Sequence, residues 1–525
     1  MMKLHFLSAA TLLACAPAMS TPASDAAAAD PALVVLITVD QLRGDYIDRW
    51  SPQLTGGLAR LAREGAYYPN AVHDHAITET APGHASVGSG RFPVNTGIAA
   101  NSAGVFDQTV QLLEYSGAGA SPRRFQGTTI ADWIAARHPS SRMVSVSGKD
   151  RGAILPIGRR VADVYWYTPS GRFTTSTYYR TELPAWVREF NARELPQSWA
   201  GRAWTLLLDE SAYPEPDSVP AESNGQFFMF PHVAPPDPAA AAQVLPTFPW
   251  LDDATLGFAL ASVRALELGR GGRTDLLAIG LSATDYIGHR FGPDSRELHD
   301  NILRLDRSLG VFLDTLFTLV DHRRVVIALS SDHGVAPLPE LAGQYGAPNA
   351  RRVTLAPLVS EMRRGLAAAG ADSFDVFFGS GALSVNRAEL TAAGVNVDSL
   401  VTAFRTTAAR AAGVATVTTI EELIQRDTAS DQLARRWLNM FRPGGEVPLV
   451  VTLEPYNIWG SIPATHGSPH DYDAHVPVIF WGEPFRAGRH DNRVRVVDLA
   501  PTLARAAGVQ PLERLDGRIL DEALR

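Results

Sequence analysis

Three apolar runs in this chain each stop just short of an aspartate. Positions 32–39 read ALVVLITV and end at Asp40. Positions 275–281 (DLLAIGL) stop before Asp285, and 324–329 (RVVIAL) before Asp332. A fourth run, 475–481 (HVPVIFW), has the same texture. Continuous apolar runs of this length suit strands buried on both faces of a parallel sheet. Between them the pattern changes to a helical period, over 55–64, 294–320 and 497–507. The second of these places Leu298, Ile302, Leu305, Leu309, Phe312 and Leu316 on one stripe, which reads as core. Alternating strands and helices predict an α/β fold, with a central, mostly parallel sheet flanked by helices. Ligands of such sheets bind beyond the carboxyl ends of the strands. The aspartates therefore fall where a site is expected.

Two stretches break the alternation. Positions 165–249 are rich in Pro, Trp and Tyr with little periodicity, and read as an insertion over the site. Positions 344–457 mix Ala/Arg-rich helices (358–369, 398–412) with short strands (375–378, 415–419). They read as an inserted α+β cap. The expected organisation is a signal peptide at 1–20, a linker at 21–31, and one catalytic domain at 32–525 carrying both insertions.

Composition changes this picture in two respects. The chain has 525 residues, 46% hydrophobic, enough for a large core. Its formal net charge is -8 and no basic run appears, which excludes a phosphate-tracking nucleic-acid surface. At the start, Lys3 is followed by a mostly apolar 5–16 and then an Ala/Ser/Pro/Thr-rich stretch to Asp30. That is the layout of a signal peptide, too short for a permanent transmembrane span, and it predicts a periplasmic or secreted protein; a monomer is expected separately. Cys15, the sole cysteine, ends Leu12-Leu13-Ala14-Cys15, which is similar to a bacterial lipobox. A lipid anchor at Cys15 is one reading, and ordinary cleavage near Ser20 is the other. Neither leaves a disulfide in the mature fold.

The candidate chemistry lies just past the strands. Asp285 and His289 are four apart, so on a helix they share a face and can reach one cation. Asp332-His333-Gly334 follows a buried strand, and Gly334 permits the turn that lets both side chains face one site. Asp40 ends the first strand and could instead cap a helix. His466, between Thr465 and Gly467, is a weaker signal alone. Together three aspartates and three histidines suit a zinc site. Thr80 precedes Ala81-Pro82-Gly83, the make-up of a helix start with threonine as its cap. A hydroxyl there lies where main-chain N–H groups favour anions, and a metal on its oxygen would make it a nucleophile. Thr78 is a nearby competitor. Asn101 can donate to a phosphate oxygen. Lys149 and Arg151 share a face if extended, and could grip the remaining phosphoryl oxygens. His84 reads as a buttress, and His73, His75, His470 and His475 as supporting or surface groups.

These residues resemble the alkaline phosphatase superfamily, in particular its threonine-nucleophile, PafA-type phosphomonoesterase branch. The matching pieces are Thr38-Val39-Asp40-Gln41, Thr80 to Ser86, Gly97 to Asn101, Lys149-Asp150-Arg151, Asp285 with Gly288-His289, Ser331 to Gly334, and Thr465 to Ser468. The resemblance spans about residues 32 to 520 and is weakest in the second insertion. It implies an alkaline-phosphatase-like sandwich with two Zn2+ ions. One would be held by Asp285, His289 and His466. The other would be held by Asp40, Asp332 and His333, with Thr80 bound to it. Asn101, Lys149 and Arg151 would hold the phosphoryl group of a small phosphate monoester. A phosphothreonyl intermediate and its hydrolysis would follow, with net retention at phosphorus. The Lys-x-Arg pair favours a dianionic monoester. The rival enzyme reading is a phosphodiesterase or nucleotide pyrophosphatase of the same superfamily. The rival from another class is an exported metal- or phosphate-binding protein without turnover.

Overall fold

The computed structural model describes residues 30–525. The expected signal peptide, Cys15 and nearly all of the linker lie outside them. Ten strands form the main sheet: β1 (Leu33–Val39), β2 (Ala66–Val72), β3 (Met143–Ser147), β4 (Asp163–Tyr167), β5 (Phe173–Thr174), β6 (Asp275–Leu281), β7 (Val325–Ser330), β8 (His475–Trp481), β9 (Gly488–Arg489) and β10 (Val494–Arg495). Their order is β9-β2-β8-β7-β1-β6-β3-β4-β5, with β10 also on β2. β1 lies at the centre, parallel to β6 and β7 and in register with both: Val39 is level with Leu281, and Thr38 with Ser330. Alternate residues of β1 enter different cores. Val35, Ile37 and Val39 face the helices Trp250–Ala265 and Arg296–Leu319, whereas Val34 and Leu36 face Thr80–Ser89, Ile130–Arg137 and Leu499–Ala506. Burial on both faces is why the strand reads as an unbroken apolar run. The architecture is the α/β sandwich expected, with a mostly parallel sheet between helices.

One strand runs against expectation. β8 reads like its parallel neighbours but pairs antiparallel with both β7 and β2. An apolar run buried on both faces carries no mark of direction. Its reversal matters, because the segment before β8 then starts at the edge where β1, β6 and β7 end.

The long helix begins at Arg296, where the Ser295 hydroxyl accepts from the Leu298 N–H, and continues to Leu319. Its Asp300 carboxylate anchors the first insertion by accepting from Trp204 Nε1 (2.6 Å), the Leu207 N–H (2.6 Å) and the Tyr213 hydroxyl (2.7 Å). Within 344–457, the strands Val376–Gly379, Ala382–Val385, Leu449–Leu453 and Val414–Thr419 make a four-stranded antiparallel sheet. The helices Ala356–Ala368 and Val397–Ala408 pack on it around a separate apolar core. Among the described residues no helix is long and apolar enough to cross a membrane.

Candidate active site

The in-register ends of β1, β6 and β7 deliver Asp40, the helix Ala283–Phe291 and the Asp332-His333 turn to one edge of the sheet. Two triads form there: Asp285, His289 and His466, and Asp40, Asp332 and His333. Within each triad the donor atoms lie within 4.8 Å of one another. His289 Nε2 and His466 Nε2 are 3.3 and 3.4 Å from Asp285 Oδ1. His333 Nε2 is 3.4 Å from Asp40 Oδ1 and 3.5 Å from Asp332 Oδ2. The His333 and His466 rings stack with centroids 3.5 Å apart, so the triads adjoin.

The backbone sets each imidazole. His289 Nδ1 meets the Ala464 carbonyl at 2.8 Å, His466 Nδ1 the Thr78 carbonyl at 2.7 Å, and His333 Nδ1 the Gly334 carbonyl at 2.9 Å. A carbonyl only accepts, so every Nδ1 carries the proton and every Nε2 turns a lone pair inward. Behind them, His73 Nε2 meets the Ser331 carbonyl at 2.9 Å, and His84 Nε2 stands 3.5 Å from Asp332 Oδ2. Gln41, at φ 64°, donates its main-chain N–H to Asp332 Oδ1 and its side-chain amide to Asp285 Oδ1, touching both triads.

The donor set fits divalent metal ions. Asp40 Oδ1, Asp332 Oδ2 and His333 Nε2 are buried without a hydrogen-bond partner, and Asp40 Oδ2 meets only the Lys149 ammonium among the described residues. Such orphaned atoms are costly unless something binds them. Burial, together with the charges of Asp285 and Asp332, holds the Asp40 carboxyl well above its usual range. Burial likewise raises Asp332 to about 6 and lowers His333 and His466 to about 3 each. Neutral imidazoles at His333 and His466 beside crowded carboxylates suit cation ligation, whereas despite burial the attraction between His289 and Asp285 holds the imidazole up and the carboxyl down.

Lys149 stands between the triads, its Nζ 2.6 Å from Asp40 Oδ2 and 2.5 Å from Asp285 Oδ2. The expected shared face of Lys149 and Arg151 is not found. Lys149 is extended (φ -125°, ψ 143°), but the helix Asp150–Ile154 begins immediately after it and carries Arg151 on its first turn. The K-D-R-G segment starts a helix instead of continuing β3. Thr80 also differs from the reading of it as the helix cap. It is the first helical residue of Thr80–Ser89, and the cap position belongs to Glu79. Thr80 is 1% exposed. Gly83 brings this helix against Asp332, where a Cβ would stand 2.6 Å from the Asp332 Cβ. Asn101 Oδ1 accepts from the Ala81 N–H at 2.8 Å, which leaves its amide NH2 to donate elsewhere.

Glu79 was not singled out from the sequence. Its carboxylate accepts from the Asn101 N–H at 2.6 Å and from the Ser380 hydroxyl at the tip of the cap's first hairpin. An acid directly before a helix start was the only available signal. Ser380 is distant in the chain and has no motif.

The chain belongs to the type I phosphodiesterase / nucleotide pyrophosphatase family of the alkaline phosphatase superfamily, whose model matches residues 34–354. It is 30% identical to alkaline phosphatase PafA of Elizabethkingia meningoseptica, covering 91% of this chain and 92% of that protein. The same identity holds for alkaline phosphatase PhoV of Synechococcus elongatus (95% and 94%) and PhoK of a Sphingomonas species (94% and 92%). The crystal structure of PafA superposes with a TM-score of 0.84 at 28% identity, over 94% of this chain and 99% of that one.

Proposed function

We propose that this alkaline phosphatase hydrolyses small phosphate monoesters through a phosphothreonyl intermediate on Thr80, with two Zn2+ ions as cofactors. The observation that carries the reading is the pair of adjoining triads beside the helix that Thr80 opens. Asp285, His289 and His466 would hold one ion, and Asp40, Asp332 and His333 the other. Mixed imidazole and carboxylate donors favour zinc. When bound, the ions act as Lewis acids that offset the charge developing on phosphoryl and leaving oxygens.

The chain's own groups do the rest. Thr80 Oγ attacks phosphorus. The O–P bond to Thr80 forms as the bond to the leaving oxygen breaks, the leaving group departs with that electron pair, and the Thr80 hydroxyl proton passes to solvent. The start of the helix supplies main-chain N–H groups and a favourable dipole for the anion. The free amide of Asn101 donates to one phosphoryl oxygen, while Lys149 and Arg151 take up charge on the others. A water then attacks phosphorus, the Thr80 O–P bond breaks, one of the water's protons restores the Thr80 hydroxyl, and inorganic phosphate leaves. A monoester brings a dianion, which the two cations suit better than a diester. Export follows from the layout of residues 1–20, with the mature protein periplasmic or secreted, or lipid-anchored at Cys15.

Rates on a monoester and a diester of one leaving group test the reading, together with acid-quench trapping of phosphate on threonine. A faster monoester and a trap lost in Thr80→Ala are expected. Full turnover in Thr80→Ala would sink it. The family description favours a second reading, phosphodiesterase, and a faster diester would select that.

A further inference from the structure

We propose that the seam between the main sheet's helical layer and the inserted cap holds a second anion site, one that takes a ligand with two or more phosphate groups. A groove of about 630 Å³ opens there, within the size range of small-molecule sites. The segments around Ala99–Ala103 and Arg123–Gln126 form one wall, and the cap forms the other through Ser384 and the 441–447 loop. Arg123, Arg124, Arg159 and Arg442 line it, against Glu446 as the one lining acid. Arg123 is offset by Asp107 at 3.3 Å. Among the described residues the Arg442 guanidinium meets only a neutral oxygen, Asn95 Oδ1, at 2.7 Å. Arg124 and Arg159 are exposed, and among the described residues neither has a carboxylate at ion-pair distance.

Guanidinium groups gathered along one groove repel one another, and among the described residues only Arg123 has a carboxylate at ion-pair distance. Elsewhere this acidic chain pairs most of its arginines; its formal net charge is -8. An arginine presents a planar fork of donors that matches two phosphoryl oxygens at once. Arg124, Arg159 and Arg442, with Arg123 beside them, exceed what a single phosphate needs, which is why the inferred ligand carries several. The groove also lies behind the catalytic turn. Ala99 and Ala103 flank Asn101, whose side chain caps the Thr80 helix. A polyanion here would bridge cap and core next to the phosphoryl-binding amide. Two sources share this chemistry: the remaining phosphates of a polyphosphorylated substrate, or a separate effector.

Calorimetric titration of inorganic tripolyphosphate into the metal-loaded full chain, with orthophosphate saturating the catalytic centre, reads the site at low salt. One further binding event is expected, weakened at least about tenfold in Arg124→Glu/Arg159→Glu. Turnover of a small aryl phosphate should stay within about twofold, because neither arginine belongs to the catalytic group. If charge reversal disturbs folding, Arg124→Ala/Arg159→Ala gives the same reading. Equal tripolyphosphate affinity in wild type and variants, or no binding beyond the catalytic centre, overturns the proposal. The second arm rests on the phosphatase reading and compares kcat/KM for inositol hexakisphosphate and the aryl phosphate. A fall confined to the former assigns the groove to the rest of the substrate. Lost binding with both rates unchanged assigns it to an effector. Absence of aryl phosphate turnover in wild type would count against the catalytic reading and leave the binding arm intact.

Discussion

Lys149 occupies the position where competing demands meet. Its ammonium contacts a carboxylate from each triad while lying 4% exposed. Burial opposes its charge, but Asp285 and Asp40 hold its pKa above the ordinary lysine range. It therefore competes with cations for the oxygens that would ligate them. Removing one partner from a buried ion pair costs about 3–5 kcal/mol, because the remaining charge is left uncompensated. Lys149→Ala is accordingly expected to lower Tm sharply in chelator and much less with zinc present, as thermal melts under both conditions would read. Monoester turnover of the loaded variant should fall by about a hundredfold or more, as when one transition-state charge stabiliser is lost. Glu79 acts at the same scale, through Asn101. Ser380→Ala removes a hydroxyl that, among the described residues, only Glu79 uses, so kcat/KM for a monoester should drop by about threefold to tenfold. Zinc content, read by elemental analysis, should stay unchanged, and a loss of metal in this variant would count against a positioning role.

At the scale of elements, the helix Thr80–Ser89 is the informative one. Alanine normally favours a helix over glycine by about 1 kcal/mol. At Gly83 the sign should reverse, since the added methyl meets the Asp332 backbone and Cβ. Overpacking of this kind costs about 1–3 kcal/mol, so Gly83→Ala should lower both Tm and turnover, measured by melting and steady-state rates. A rise in Tm would mean that the helix is not held against the Asp332 loop. The reversal of β8 belongs to this scale too. His466 lies nine residues before that strand (475 − 466), and in a parallel strand its approach would start from the opposite edge of the sheet.

At the scale of the whole molecule, stability should depend on metal and on pH. Chelation strips the cations that the crowded carboxylates are built around, so Tm and activity should fall together and return with zinc. One pH term comes from Glu222 in the 165–249 segment. Glu222 is 1% exposed, and burial, with Glu297 and Asp217 nearby, raises its carboxyl from 4.5 to about 10. A raised folded-state value contributes stability that is full below the unfolded pKa and is lost as pH climbs towards the folded one. Glu222→Gln should therefore flatten the decline of Tm between about pH 5 and 10, with its largest gain at the alkaline end. A variant whose Tm follows the wild-type slope would locate the burial cost elsewhere.

Much of the centre could be read along the chain, and the reason is local. A strand buried on both faces must be apolar throughout, so β1, β6 and β7 announce themselves, and the polar residue that ends each run marks the edge where ligands bind. A helix puts residues four apart on one face, so Asp285 and His289 were legible as a pair. What the tertiary structure decided depends on contacts between segments with no sequence relation. The direction of β8, the seat of Lys149 between two carboxylates, the reach of Ser380 to Glu79 and the gathering of arginines along the cap seam are of this kind. Local composition specifies which residues must be buried and how each turn begins. Only the packing of distant segments specifies which charges end up facing one another, because electrostatic pairing depends on distance in space and not along the chain.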